Sequence, residues 1–174
     1  PTLLAGAKLL KQQLPDVQFA MPRAGTIPLA MLKEKITASG LDIKITEGHN
    51  YDLFSAADLA LATSGTVTLE AALCGLPSVI VYRTSALNAF IARLVINIPN
   101  IGLPNIVAGK TIMPELLQED FTPEKLAKTA VELLQPERQA QLQSDLEYMK
   151  KRLGEPGAVD RVAQLILKIT EEKK

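Results

Sequence analysis

The sequence has little of what several classes of protein require. Its 174 residues include no Trp, one Cys, one His and only 4% aromatic side chains, and 19 basic residues balance 19 acidic ones. A zero net charge and few stacking side chains argue against nucleic acid as a partner. Cys74 has no intrachain disulfide partner, which fits a reducing compartment. A single His also fails to provide a metal site, so we expect no metal.

Long apolar runs are also missing. No stretch approaches the roughly 20 residues of a transmembrane helix, and no basic segment followed by an apolar one opens the chain. A G-x-G-x-x-G motif is absent, which argues against a dinucleotide-dependent oxidoreductase. Because the first residue is not Met, we expect the chain to be part of a longer protein.

Short apolar runs alternate with amphipathic stretches over the first two-thirds of the chain. This pattern predicts an α/β fold, a Rossmann-like parallel sheet with helices on both faces. Strands are predicted at Val17–Met21, Leu41–Ile45, Asp58–Ala62 and Pro77–Tyr82. Helices are predicted at Thr2–Gln13, Ile27–Ser39, Asn50–Ala56, Val67–Cys74, Leu87–Ile96, Pro114–Gln118, Pro123–Leu134, Pro136–Leu153 and Gly157–Thr170.

The two parts of the chain differ in charge. Residues 1–114 carry 9 basic and 7 acidic side chains, whereas residues 115–174 carry 10 and 12. We therefore predict a sheet core at 1–113 and C-terminal helices of the same domain at 114–174. The strands at 59–62 and 78–81 lack polar alternation and should be central. Sheets of this type usually begin with a central strand, yet the first predicted element is a helix, so we expect that strand upstream of Pro1.

The most informative motif is the turn Ser64-Gly65-Thr66 between a buried strand and a helix. A helix start offers free amides and a partial positive charge, which suits phosphate, at the strand ends where α/β sheets bind ligands. The alternative is that Ser64 or Thr66 only caps the helix. Glu70 lies one turn further and is not explained by a capping box. It could hold a ribose through two hydroxyls, or make a minor surface ion pair.

Together these residues resemble a known family. Ser64-Gly65-Thr66-x-x-x-Glu70, Gly75-x-Pro77 and Val81-Tyr82-Arg83 look like the donor-binding half of lipid-A-disaccharide synthase, a glycosyltransferase of the GT-B type. The resemblance continues through residues 102–109 and 114–118 and covers nearly the whole chain. It implies transfer of 2,3-diacylglucosamine from its UDP-linked donor to lipid X, 2,3-diacylglucosamine 1-phosphate, releasing UDP without cofactor or metal.

The resemblance also implies roles for single residues. Ser64, Gly65 and Thr66 would hold the diphosphate and Glu70 the ribose, while Asn105 matches a functionally essential Asn and is the catalytic candidate. The family's glycine-rich phosphate turn and its N-terminal domain with an acidic base are not in this sequence. We therefore expect the chain alone to be inactive and the missing N-terminal domain to be its partner. We further expect a cytoplasmic location, peripheral contact with the inner membrane face, and a homodimer.

Several assignments stay open at this point. Arg83 could meet a phosphate, cap a neighbouring carbonyl group or pair with a carboxylate. His49 could contact the base or be an exposed loop residue, and Cys74 is expected to pack in the core. The apolar stretch 87–107 could line an acyl chain or membrane surface, although ordinary burial is the commoner role. Other UDP-N-acetylglucosamine enzymes, namely the peptidoglycan transferase and the 2-epimerases, remain alternatives, as does a non-catalytic nucleotide-binding module.

Overall fold

A computed structural model describes residues 1–85, 99–155 and 157–171. Parallel strands and surrounding helices confirm the α/β, Rossmann-like fold. The elements in chain order are α1 (Thr2–Gln13), β1 (Phe19–Arg23), α2 (Leu29–Ser39), β2 (Ile43–Glu47), α3 (Asn50–Ala56), β3 (Ala60–Thr63), α4 (Thr66–Leu73), β4 (Ser78–Tyr82), α5 (Leu103–Ala108), β5 (Glu115–Leu117), a 3₁₀ turn (Gln118–Asp120), α6 (Pro123–Leu133), α7 (Pro136–Leu153) and α8 (Ala158–Glu171). The helix predicted at Leu87–Ile96 lies outside the described residues.

Strand β4 is the centre of the larger sheet, whose order is β3-β4-β5 with all pairs parallel. Val79 and Val81 pack on one side in a cluster with residues of α6 and α7. Ile80 packs on the other side with residues of α4, α5 and α7. Since Ser78 to Val81 are all buried, the prediction that this strand is central and covered on both faces is confirmed.

The smaller sheet pairs β1 with β2, also in parallel. Among the described residues, no strand pairs with the second edge of β1 or of β3. A hydrophobic cluster that contains Leu10 of α1 and two alanines of α6 nevertheless includes Phe19 of β1 and Leu61 of β3, so one cluster spans both sheets. Within the described residues β3 is an edge strand and its apolar residues are only half-buried, so the structure does not show the central position predicted for it.

The predicted helix at Pro114–Gln118 is also wrong. Residues Glu115–Leu117 form β5, and a 3₁₀ turn follows. The Ile80 amide donates to the Pro114 carbonyl at 2.9 Å, and Glu115 lies opposite Ile80 in the sheet. Pairing with a buried strand therefore outweighs the local preference of this segment for helix. The segment 114–174 supplies a strand of the sheet as well as helices.

Helices α6 and α7 cover the sheet, and α1 packs closely against α6. The contact depends on Gly6, because a Cβ atom there would lie 2.5 Å from Cδ2 of the buried Leu126. Helix α8 differs from the others, since residues 158–170 are all exposed, including several apolar side chains. None of the helices within the described ranges is long and apolar enough to cross a membrane.

Candidate functional site

The turn between β3 and α4 lies at the carboxyl end of the larger sheet. The Ser64 amide donates to the Val81 carbonyl at 2.9 Å, which fastens the turn to β4. The Thr68 hydroxyl donates to the Gly65 carbonyl at 2.7 Å and holds the start of α4. The amides of Gly65, Thr66 and Val67 donate to no acceptor in the described part of the chain. They are therefore available to an anion.

Neither hydroxyl of the turn caps the helix. The residue before the first helical position is Gly65, and no side-chain hydrogen bond closes the start of α4. Instead, the Ser64 hydroxyl donates to the Ile101 carbonyl at 3.2 Å, while Thr66 is exposed. The capping alternative is thus not what the structure shows, and the first turn of α4 remains unblocked.

Glu70 lies on α4 four residues after Thr66, a spacing that puts both side chains on one side of the helix. It is half-buried. Within the described residues its carboxylate forms no hydrogen bond or ion pair, so the surface ion pair that was the alternative for Glu70 is not present there. The carboxylate is therefore available to hydroxyl donors near the helix start.

The end of α4 follows the predicted pattern. Gly75 has φ +86°, its amide donates to Ala72, and the Leu76 amide donates to Ala71. These two bonds form the Schellman motif that ends a helix on a left-handed glycine. The C-cap role predicted for Gly75 is confirmed. Cys74 packs beside the cluster of Phe54 and Leu76, as expected.

Arg83 follows β4 and extends towards the segment after β5. Its Nη2 atom donates to the carbonyls of Gln118, at 3.2 Å, and Phe121, and its guanidinium stacks 5.2 Å from the centre of the Phe121 ring. Of the alternatives for this residue, bonding to backbone carbonyls is the one that the structure shows. Arg83 joins the ends of two neighbouring strands at the same edge of the sheet as the Ser64 turn.

Asn105 is the most completely bonded polar side chain of this region. It lies on α5 and is 0% exposed. Its Nδ2 donates to the Met113 carbonyl at 2.8 Å and to Glu115 Oε1 at 2.7 Å. Its Oδ1 accepts the amides of Ile112 and Met113 at 2.8 and 2.9 Å. All four hydrogen-bonding positions of the amide are therefore used inside the protein.

Glu115 has a place in this arrangement that the sequence did not reveal. Its carboxylate accepts the amides of Ile101 and Gly102, at 2.9 and 3.0 Å, as well as the side-chain amide of Asn105. The predicted helix over 114–118 hid this role, because only the pairing of β5 with β4 brings Glu115 to the loop before α5. The signal available in the sequence was that Glu115 belongs to the segment 114–118, one of the segments that resemble the family.

Other polar residues lie at the carboxyl ends of β1 and β2. Arg23 pairs with Glu47 at 2.7 Å, and the hydrogen bond from Arg23 holds the pKa of the Glu47 carboxyl below its usual range. His49 has φ 52° and an exposed side chain that contacts Asp52 at 3.1 Å. Within the described ranges, no three His, Cys, Asp or Glu side chains are grouped as metal ligands.

An open parallel sheet with an unblocked helix start at its carboxyl edge is typical of Rossmann-like α/β domains. A sequence model of the family described as lipid-A-disaccharide synthetase matches residues 1–169. The chain belongs to this family.

Curated relatives agree with that assignment. Lipid-A-disaccharide synthase from Syntrophus aciditrophicus is 39% identical over 174 residues, which are 99% of this chain and 45% of the relative. The enzymes of the same name from Trichlorobacter lovleyi and Geobacter sulfurreducens are 40% and 35% identical over 99% and 97% of this chain, and 45% and 44% of their own lengths. The chain thus spans less than half the length of these relatives.

Proposed function

We propose that this chain is the donor-binding part of a hexosyltransferase that makes the lipid A disaccharide. The reaction transfers 2,3-diacylglucosamine from its UDP-linked donor to 2,3-diacylglucosamine 1-phosphate and releases UDP. Family membership supports the reaction, and the unblocked start of α4 supports the binding of a diphosphate. Charge develops on the departing UDP, and fixed amide donors at a helix start would stabilise it.

The observation that carries the proposal is the contact between Ser64 and Ile101. The two residues are 37 positions apart in the chain, yet the Ser64 hydroxyl lies 3.2 Å from the Ile101 carbonyl. The Leu103-Pro104-Asn105 motif therefore begins directly beside the turn. A motif far from the turn would have favoured the peptidoglycan transferase or an epimerase of the same fold.

Each candidate residue has a role in this proposal. Gly65 and Thr66 bind the diphosphate through their free amides and the Thr66 hydroxyl, and Ser64 belongs to the same turn. Glu70 accepts hydrogen bonds from the ribose hydroxyls. Arg83 supports the site at its edge, because its Nη2 atom donates to the carbonyls of Gln118 and Phe121. Asn105 is required for transfer.

We also propose that the N-terminal part of the enzyme completes this domain and its site. A strand and a phosphate turn from the N-terminal part of the protein would lie between β1 and β3, each of which has one edge that pairs with no strand among the described residues. The N-terminal domain would supply the acidic base and bind the lipid acceptor. We propose a cytoplasmic enzyme that contacts the inner membrane face peripherally and forms a homodimer.

Titration calorimetry with UDP tests the site, using the full-length protein and this chain in parallel. Thr66→Ala and Glu70→Ala should each weaken UDP binding by about tenfold, which corresponds to about 1.4 kcal/mol. Glu137→Ala, an exposed glutamate in the first turn of α7, is the matched control and should bind UDP as the unmodified protein does. Unchanged affinity in both site variants would show that UDP binds elsewhere.

Activity of the full-length protein separates the enzyme from a non-catalytic nucleotide-binding module. The transferase should release UDP only when both the UDP-linked donor and the acceptor 1-phosphate are present. Binding of UDP without any such release would favour the module.

A further inference from the structure

Glu115 links strand β5 to the loop before α5 through hydrogen bonds. Its carboxylate accepts three hydrogen bonds, from the amides of Ile101 and Gly102 and from the side chain of Asn105. Hydrogen bonds to a charged acceptor are stronger than those between neutral groups, and three of them on one carboxylate fix its position well. The loop before α5 is therefore held by a strand of the sheet.

The same loop also contacts the proposed diphosphate site. The amide of Ile101 donates to Glu115, and the carbonyl of Ile101 accepts the Ser64 hydroxyl. Gly102 has no room for a side chain, because a Cβ atom there would lie 2.4 Å from Ile80 Cδ1 and 3.1 Å from Glu115 Oε1. The loop is thus packed tightly on the sheet between Glu115 and the turn.

Asn105 extends this network into the core. It fixes one oxygen of Glu115 and is itself fixed by the backbone of Ile112 and Met113. With its side chain 0% exposed, Asn105 presents no free polar atom to a ligand. Any influence on the reaction passes through its neighbours.

We propose that Glu115 is a positioning residue for the nucleoside-diphosphate site, and that Asn105 acts through it. Glu115 holds the Ile101 carbonyl where it orients Ser64, and Ser64 in turn holds the amides of Gly65 and Thr66 in place for the diphosphate. The inference rests on the proposed function, because it assigns a role within that same site.

Glu115→Gln tests this role with a small change in volume. Gln has one acceptor oxygen where the carboxylate has two. The NH2 group of its side-chain amide is a donor, so it cannot accept a hydrogen bond from the backbone amides or from Asn105. We expect UDP binding by the full-length protein to weaken about tenfold. Asp145→Asn makes the same chemical change on α7, in a carboxylate that bonds to Lys110 and Gln141, and should leave UDP affinity unchanged.

A double-mutant cycle with Ser64→Ala separates positioning from a general loss of stability. If Glu115 acts through Ser64, Glu115→Gln should weaken UDP binding much less in the Ser64→Ala background than in the unmodified protein. Equal losses in both backgrounds would overturn the proposal. So would a Glu115→Gln variant that has a lower melting temperature and unchanged UDP affinity.

Amide hydrogen exchange gives a measurement that does not need UDP. The Ser64 amide bonds to Val81 and the Thr68 amide to Gly65, so both should be partly protected. Both should exchange faster in Glu115→Gln and not in Asp145→Asn; no difference between these variants would refute the link.

If the unmodified protein fails to bind UDP, the proposed function falls and the nucleotide role of Glu115 falls with it. If it binds UDP and Glu115→Gln binds equally well, only the positioning role is overturned.

Discussion

Asn105→Ala is expected to destabilise the protein strongly. The substitution removes four hydrogen bonds and leaves the amides of Ile112 and Met113 and the carbonyl of Met113 without that partner. Ile112 is 5% exposed and Met113 0%, so water does not readily replace the lost side chain. A buried group that loses its partner costs about 1–3 kcal/mol. Two orphaned amides alone therefore predict a loss of about 2–6 kcal/mol from the free energy of unfolding.

Urea denaturation followed by circular dichroism measures this loss. Such a loss is a large share of the roughly 5–15 kcal/mol that stabilises a typical domain. Asn100→Ala is the matched control, because Asn100 is 8% exposed and accepts one hydrogen bond, from the Thr111 hydroxyl at 2.8 Å. Its cost should be about 1 kcal/mol. A loss below about 1 kcal/mol for Asn105→Ala would refute the reasoning.

Asn105→Asp separates hydrogen bonding from the filling of space. Asp keeps an acceptor for the amides of Ile112 and Met113, but it replaces the donor that faces Glu115 and the Met113 carbonyl with an acceptor. A buried carboxylate at residue 105 would be repelled by the carboxylate of Glu115, so this variant should be at least as unstable as Asn105→Ala near neutral pH. Wild-type stability of Asn105→Asp would contradict the geometry. These measurements also decide whether lost activity in an Asn105 variant reflects lost contact with substrate or lost structure.

Two further predictions concern packing and charge. Gly6→Val should lower the free energy of unfolding in urea by about 2 kcal/mol, because its side chain meets Leu126; unchanged stability would refute the close contact. Burial raises the pKa of Asp145, but hydrogen bonds from Lys110 and Gln141 outweigh burial and lower it. Asp145 therefore stabilises the fold above about pH 4 and loses this contribution as the pH falls through its lowered pKa. The stability difference from Asp145→Asn, measured by pH-dependent melting, should shrink over that acid range.

The sequence alone predicted the bounds of several helices correctly. Helices Thr2–Gln13, Asn50–Ala56 and Pro136–Leu153 have the predicted bounds. The strands β1 and β2 begin two residues later than predicted, since the apolar pattern does not distinguish the ends of a short strand from its flanking loop. Boundaries of this kind depend on which backbone groups find a partner strand, and the partner is distant in sequence.

The contacts of the candidate site also fall into two groups, those that the sequence allowed us to predict and those that it did not. The turn at Ser64 and the helix after it were predictable, because glycine, hydroxyl residues and a following apolar helix are neighbours in the chain. Whether a hydroxyl caps that helix was left open, and only the structure shows that none does. The contacts of Arg83 and Asn105 were not predictable, because they depend on the tertiary fold. Arg83 contacts Thr2 and the segment after β5, and Asn105 contacts residues 112–115. Residue types alone left several roles open for Arg83, and the position of the segment after β5 selected one of them.

The register of β5 determines whether the site can form. Glu115 lies opposite Ile80 in the parallel pair, so both side chains are on the face of the sheet where α5 packs. Because side chains alternate along a strand, a shift of one residue would send Glu115 to the opposite face and bring Leu116 towards the loop before α5. Leu116 already packs with Val79 and Val81 on that opposite face, and its burial there opposes such a shift. A hydrophobic contact on one face of β5 thereby fixes a carboxylate on the other, within reach of Ile101 and the turn it supports.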